Sequence, residues 1–159
     1  MGSRGFYFAY GSNTNPARME ERKVPFYSYR GAILKDHRLV FNKLCRLYEG
    51  GFGCANIEPS KGEVVEGVLY EVDLDRAIPV LDIFEGYPDH YTRKIVEVET
   101  PEGETFRAVV YVAHPSKVRE GLKPHPDYLA HLLEACRLGL MSAHYCERLR
   151  KLMEEITSP

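Results

Sequence analysis

Nothing in this 159-residue sequence approaches the roughly 18 consecutive apolar residues that a membrane-spanning helix needs. Nor is there an excess of basic charge. The 21 Lys and Arg against 23 Asp and Glu leave a formal net charge of −2, which excludes the basic face of a broad nucleic-acid footprint. No Cys-x-x-Cys pair occurs among Cys45, Cys54, Cys136 and Cys146, so neither a zinc knuckle nor a thioredoxin-type site is expected. Free, buried or half-buried thiols are the expectation for all four, with disulfides the alternative for a hyperthermophile source. No two of the six histidines (37, 90, 114, 125, 131 and 144) stand four apart, and no metal site is expected. The opening "MGSRGF" lacks the apolar centre of a signal peptide, and Phe6 stands where myristoylation needs Ser or Thr. A cytoplasmic protein is expected, with neither membrane nor nucleic acid as partner.

What is present suits a globular fold. The length suggests one domain over 1–159, and 44% hydrophobic residues suffice for a core. Aromatic content marks Gly5–Ala9 as a strand. Asn15-Pro16 reads as an N-cap with proline at the first helical position, opening a short helix to about Arg22. Tyr27–Leu34 and Arg38–Lys43 read as two strands broken at Lys35-Asp36. Cys54–Glu58 and Val64–Val72 read as a hairpin around "PSKGE". A short helix is expected over Asp75–Phe84, with Pro79 in or near its first turn. Tyr91–Thr100 and Glu104–Ala113 form a second hairpin around "PEGE". The period then becomes helical through Leu129, Leu132, Leu133, Cys136 and Leu140, and again through Tyr145, Leu149, Leu152 and Ile156. Two C-terminal helices within 126–156 should therefore cover a sheet face. The expected class is α+β: a strongly curved mixed sheet or small barrel with flanking helices.

Two stretches can carry chemistry. In "LDIFEGYPDHY", Leu81 and Phe84 are spaced to bury on one helix face, Glu85 closes the helix, and Gly86 suits the left-handed position after it. A carboxylate at the negative end of a helix dipole is destabilised in its ionised form, which raises its pKa and suits a general base that returns its proton. A solvated surface glutamate beside a turn is the plainer alternative; Asp82 and Asp89 are rival carboxylates. In "FAYGSN" a strand ends in successive N–H groups after a glycine, which can cradle an oxyanion or serve only as a turn with an Asn cap. No Walker lysine follows, Ser12 lacks a G-x-S-x-G frame, and no cysteine sits in an evident electropositive turn. "EGGFG" reads as a mobile loop, and Tyr128 in "HPDYLAH" as a core aromatic.

The order of these stretches is more specific than any one of them. "FAYGSN", "GCANIEPSKGEVVEGVLYEV", "LDIFEGYPDHYTRKIVEV" and "HPDYLAHLLEACRLGL" follow in a series that resembles the γ-glutamylcyclotransferase family from about Phe6 to Leu149. The resemblance implies a barrel-like α+β sheet with a cavity at one end and conversion of a γ-glutamyl compound to 5-oxoproline. It implies Glu85 as the catalytic acid/base and Tyr10, Gly11, Ser12, Asn13, Thr14 and Asn15 as the substrate loop. Tyr91 and Tyr128 would line the same pocket. It implies a small-molecule γ-glutamyl substrate, no metal or organic cofactor, and leaves room for a homodimer. Thr14, where the family commonly has an apolar residue, and the short Gly86–Tyr91 segment depart from the pattern and leave the leaving group open. A γ-glutamylamine cyclotransferase, or a binding protein of the same fold without catalysis, are the alternatives.

Overall fold

A closed five-stranded barrel organises the chain in a computed structural model that describes residues 3–159. The strands are β1 (Arg4–Ala9), β2 (Ser28–Leu44), β3 (Gly53–Asp73), β4 (Tyr91–Glu99) and β5 (Thr105–Ala113), in the order β1-β3-β2-β4-β5. The helices are α1 (Pro16–Glu21), α2 (Leu74–Glu85), α3 (Pro126–Arg137) and α4 (Ala143–Thr157). All pairings are antiparallel except that of β1 with β5, where Tyr7 meets Val109 and closes the ring. The expected α+β barrel with flanking helices is the observed fold.

β1 explains its own aromatic run. Phe8 and Tyr10 enter a core shared with Leu129 and Leu132 of α3, while Tyr7 and Ala9 enter a second core with Met19 of α1 and Leu81 of α2. Both faces are buried, so the strand reads as continuously apolar rather than alternating.

The middle of the chain is built differently from expectation. β2 and β3 are single strands of 17 and 21 residues that form one long hairpin, from Ser28↔Glu71 to Leu44↔Gly53. "PSKGE" is not a hairpin turn. Between Lys35↔Val64 and His37↔Pro59 the residues from Ser60 to Glu63 bulge out of β3. Asp36, at φ 56, does not break β2; its carboxylate accepts the Gly62 N–H at 2.9 Å and ties the bulge down. A second irregularity falls between Val40↔Asn56 and Lys43↔Cys54, where β2 carries one extra residue. Such a bulge re-aims the side chains that follow it.

The helix boundaries follow their caps. Asn15 accepts the Ala17 N–H and Pro16 opens α1, as expected. Asp73 caps α2 by accepting the Asp75 N–H, and Gly86 ends it in the left-handed region at φ 66. Because α2 starts at Leu74, Pro79 lies in its second turn rather than its first. The cysteines are paired rather than free: Cys45 bonds Cys54 across the tip of the long hairpin, and Cys136 bonds Cys146 between α3 and α4. Each pair is local, joining residues 9 and 10 apart, and the turn between each pair brings its two ends together.

Candidate active site

β1, the end of α2, the tip of the β2–β3 hairpin, β4 and the start of α3 converge on one cavity. Its wall includes Tyr10, Gly11, Ser12, Asn13, Glu85, Tyr91 and Tyr128. Thr14 and Asn15 do not line it. Thr14 is fully buried and its hydroxyl donates to the Gly11 carbonyl at 2.7 Å; Asn15 caps α1 and bonds His131 of α3 at 3.0 Å. Both brace the loop from behind.

Asn13 holds the loop together. Its amide donates to the Tyr7 hydroxyl at 3.1 Å, its side-chain oxygen accepts from Arg22 at 3.2 Å, and its carbonyl accepts the Tyr70 hydroxyl at 2.6 Å. A short 3-10 turn over Ser12–Thr14 turns the chain into the cavity. Among the described residues the N–H groups of Gly11 and Asn13 have no backbone acceptor, which leaves them as donors at the strand end. Gly11 is required by close approach. A Cβ there would stand 2.4 Å from the Tyr128 hydroxyl and 3.1 Å from Ala55 Cβ.

The tyrosines are fixed by main-chain groups. Tyr10 donates to the Tyr111 carbonyl at 2.6 Å, and Tyr91 to the Ala55 carbonyl at 2.7 Å. Tyr128 differs, because its hydroxyl accepts the Ala55 N–H at 3.2 Å. Its own proton is therefore free to point into the cavity. Burial, with the charge of Glu85, pushes Tyr128 up to about 12, so that proton is retained at neutral pH.

Glu85 is the one carboxylate on the wall among the described residues. None of those residues hydrogen-bonds its side chain. Burial raises its pKa; Arg22, Lys43, Arg46 and Arg18 pull it back, in that order, but burial wins. The cause expected from the sequence, the helix dipole, acts in the same direction, and Glu85 does close α2.

Three cations on the wall were not legible in the sequence. Arg22 leaves the end of α1 and lies over the Phe84 ring at 4.8 Å. Lys43 follows the β2 bulge, is buried, and sits 5.1 Å from the centre of the Tyr91 ring. Arg46, in the loop closed by Cys45–Cys54, donates to the Phe84 carbonyl at 3.2 Å. They come from separate elements, so no spacing links them; a lysine among the apolar residues of "VFNKLC" is the one local signal. Among the described residues no group of three His, Cys, Asp or Glu gathers as metal ligands.

Comparison with known proteins agrees with this architecture. A putative γ-glutamylcyclotransferase of Drosophila melanogaster, CG2811, is 37% identical over 54 residues, a stretch covering 34% of this chain and 34% of that relative. A solved structure named γ-glutamyl cyclotransferase superposes with a TM-score of 0.80 at 27% identity, over 93% of this chain and 87% of that one. YkqA of Bacillus subtilis gives 0.79 at 26% identity, over 95% of this chain and 54% of that longer protein. Residues 7–130, which carry the strand-end loop, the hairpin tip, Glu85 and Tyr128, match the family described as "Gamma-glutamyl cyclotransferase, AIG2-like", and the chain belongs to that family.

Proposed function

We propose that the protein cyclises a γ-glutamyl group to 5-oxoproline and releases the attached amino acid or amine. The observation that carries this reading is Glu85: an unbonded, half-buried carboxylate among cations, on the wall beside the strand-end donors.

The reaction needs no protein nucleophile, because the substrate brings its own amine. Glu85 takes a proton from the α-ammonium. The neutral amine attacks the γ-carbonyl, and a C–N bond forms while the carbonyl electrons move to oxygen. Glu85 then gives its proton to the departing nitrogen, the old amide bond breaks and the carbonyl re-forms. Glu85 takes the extra proton that attack left on the ring nitrogen, and the released amine carries it away as an ammonium. Atoms and charges balance without water or a cofactor. A carboxyl with a raised pKa serves both transfers, a role worth about 10²–10⁴-fold. The Gly11 and Asn13 N–H groups and the Tyr128 O–H are donors for the oxyanion. Holding amine and carbonyl together in one folded substrate supplies the remaining advantage, with effective molarities of about 10⁵–10⁸ M for well-oriented intramolecular reactions.

The test is a panel of γ-glutamyl amino acids and γ-glutamyl amines with detection of 5-oxoproline. Formation of 5-oxoproline by the native protein and its loss in Glu85→Gln is the expected result. Failure with every member of the panel overturns the reading.

A further inference from the structure

Resting on that reading, we infer that Arg46 makes the site selective for leaving groups that carry a carboxylate, so that the released product is an α-amino acid rather than a simple amine. The inference starts from charge. Among the described residues the cavity wall holds Arg22, Lys43 and Arg46 against a single carboxylate, Glu85. A γ-glutamyl amine brings one carboxylate to this surface; a γ-glutamyl amino acid brings two.

The cations are not equivalent. Arg22 is buried and already bound to Asn13, on the side of the strand-end loop. Lys43 is buried in the wall beside Tyr91. Arg46 is exposed, and its recorded side-chain bond is one donation to the carbonyl of Phe84, the residue before Glu85. Most of its guanidinium donors remain available. Its neighbours on the wall, Leu47 and Phe84, are 46% and 40% exposed and mark the mouth.

Position follows from the chemistry. Glu85 must reach the scissile nitrogen, so the group on that nitrogen leaves past the residues next to Glu85 on the solvent side. Those are Phe84 and Arg46. A carboxylate one carbon from the nitrogen meets the guanidinium, a planar fork that suits bidentate binding. The side chain on the same carbon meets Leu47 and Phe84. The Cys45–Cys54 bond closes the loop at the residue before Arg46 and limits how far that guanidinium can wander.

The experiment compares γ-glutamyl-alanine with γ-glutamyl-alaninamide, which share shape and differ in one negative charge. The quantity read is the ratio of their kcat/KM values. In the native protein the acid should be favoured by about tenfold, the scale of a partly exposed charge-assisted pair, and the ratio should fall with added salt. In Arg46→Gln the ratio should approach one, and Arg46→Lys should restore part of it. Arg46 also caps the end of α2, but a purely structural role would slow both substrates alike and leave the ratio unchanged, which overturns the inference. So does a native ratio near one. If the native protein turns over neither compound nor any other γ-glutamyl substrate, the cyclotransferase reading fails first.

Discussion

Asp82 and Glu85 stand one turn apart on α2, and their carboxyls titrate in opposite directions. Burial raises both. At Asp82, hydrogen bonds from Arg93 at 3.0 and 3.1 Å and from Tyr111 at 2.7 Å outweigh that effect and lower the pKa. Among the described residues Glu85 has no such bonds, and its pKa stays raised. One helix thus carries a bonded carboxylate and an unbonded one, and the hydrogen bonds set them apart.

The first expectation follows from that difference. Glu85→Gln should reduce kcat by about 10²–10⁴-fold with little loss of thermal stability. Asp82→Asn should leave turnover within a few-fold. Its cost is to stability: the depressed pKa stabilises the fold above the ordinary carboxylate range, and this is lost as pH falls through the lowered value. The pair is half-exposed, so the effect should be about 1 kcal/mol or less. Denaturant titrations at pH 7 and pH 3, run beside 5-oxoproline assays, separate the two variants. Equal damage to turnover by both would remove Glu85 from its special place.

Lys43 gives a pH signature of the same sign in a more alkaline window. Burial, then Arg46, lowers its pKa from 10.5 to about 8, with Lys117 adding to the effect and Glu85 opposing it. Between those values the unfolded chain holds a proton that the folded one has released. The stability contributed by this group therefore rises with pH across that window. Lys43→Met should flatten the dependence of unfolding free energy on pH from 8 to 10.5. A slope identical to that of the native protein would show that Lys43 titrates normally.

Gly11→Ala should be damaging, though alanine is small. The added Cβ would force the Tyr128 hydroxyl from its place and break its bond to the Ala55 N–H. At least a tenfold loss in kcat/KM is expected, on the scale of removing one oxyanion-type donor. Gly11→Ala combined with Tyr128→Phe should cost less than the sum of the single changes, because the clashing oxygen is gone. Strict additivity in that double-mutant cycle is the adverse outcome.

The two disulfides should separate stability from function. Breaking either by paired serine substitution should cost about 2–3 kcal/mol, as expected for a short closed loop. Only the Cys45→Ser and Cys54→Ser pair should also raise KM, since its loop places Arg46 and Leu47 on the cavity wall. An unchanged KM in that variant, or a changed one after substitution at Cys136 and Cys146, would contradict the assignment.

Local chemistry explains what the sequence disclosed. Asn15-Pro16, Glu85-Gly86, the "PEGE" turn and the helical period after Pro126 each act over a few residues, and each element lies where it was expected. The long hairpin is not legible locally, because "PSKGE" holds turn residues that serve a bulge equally well. What decides between turn and bulge is Asp36, whose carboxylate binds Gly62 from across the sheet. The same limit hid Arg22, Lys43 and Arg46, which meet only after the barrel closes. Neither cysteine pair has a motif spacing, and pairing depends on turns that place their backbones together.

Ring closure has a kinetic consequence. The β2–β3 hairpin pairs neighbouring segments, but β1 must pair Arg4 with Asp73 and also reach Val109 of β5. Such distant contacts carry a larger loop-closure cost, and topology of this kind slows folding. Until β1 arrives, β3 and β5 both present unpaired edges, the condition that invites pairing between chains. β1 is also the strand that delivers Gly11, Ser12 and Asn13 to the wall. A chain that has not yet closed is thus both the most prone to self-associate and without the strand-end N–H groups on its wall, so recovery of turnover on refolding would report the arrival of the first strand rather than the formation of the sheet.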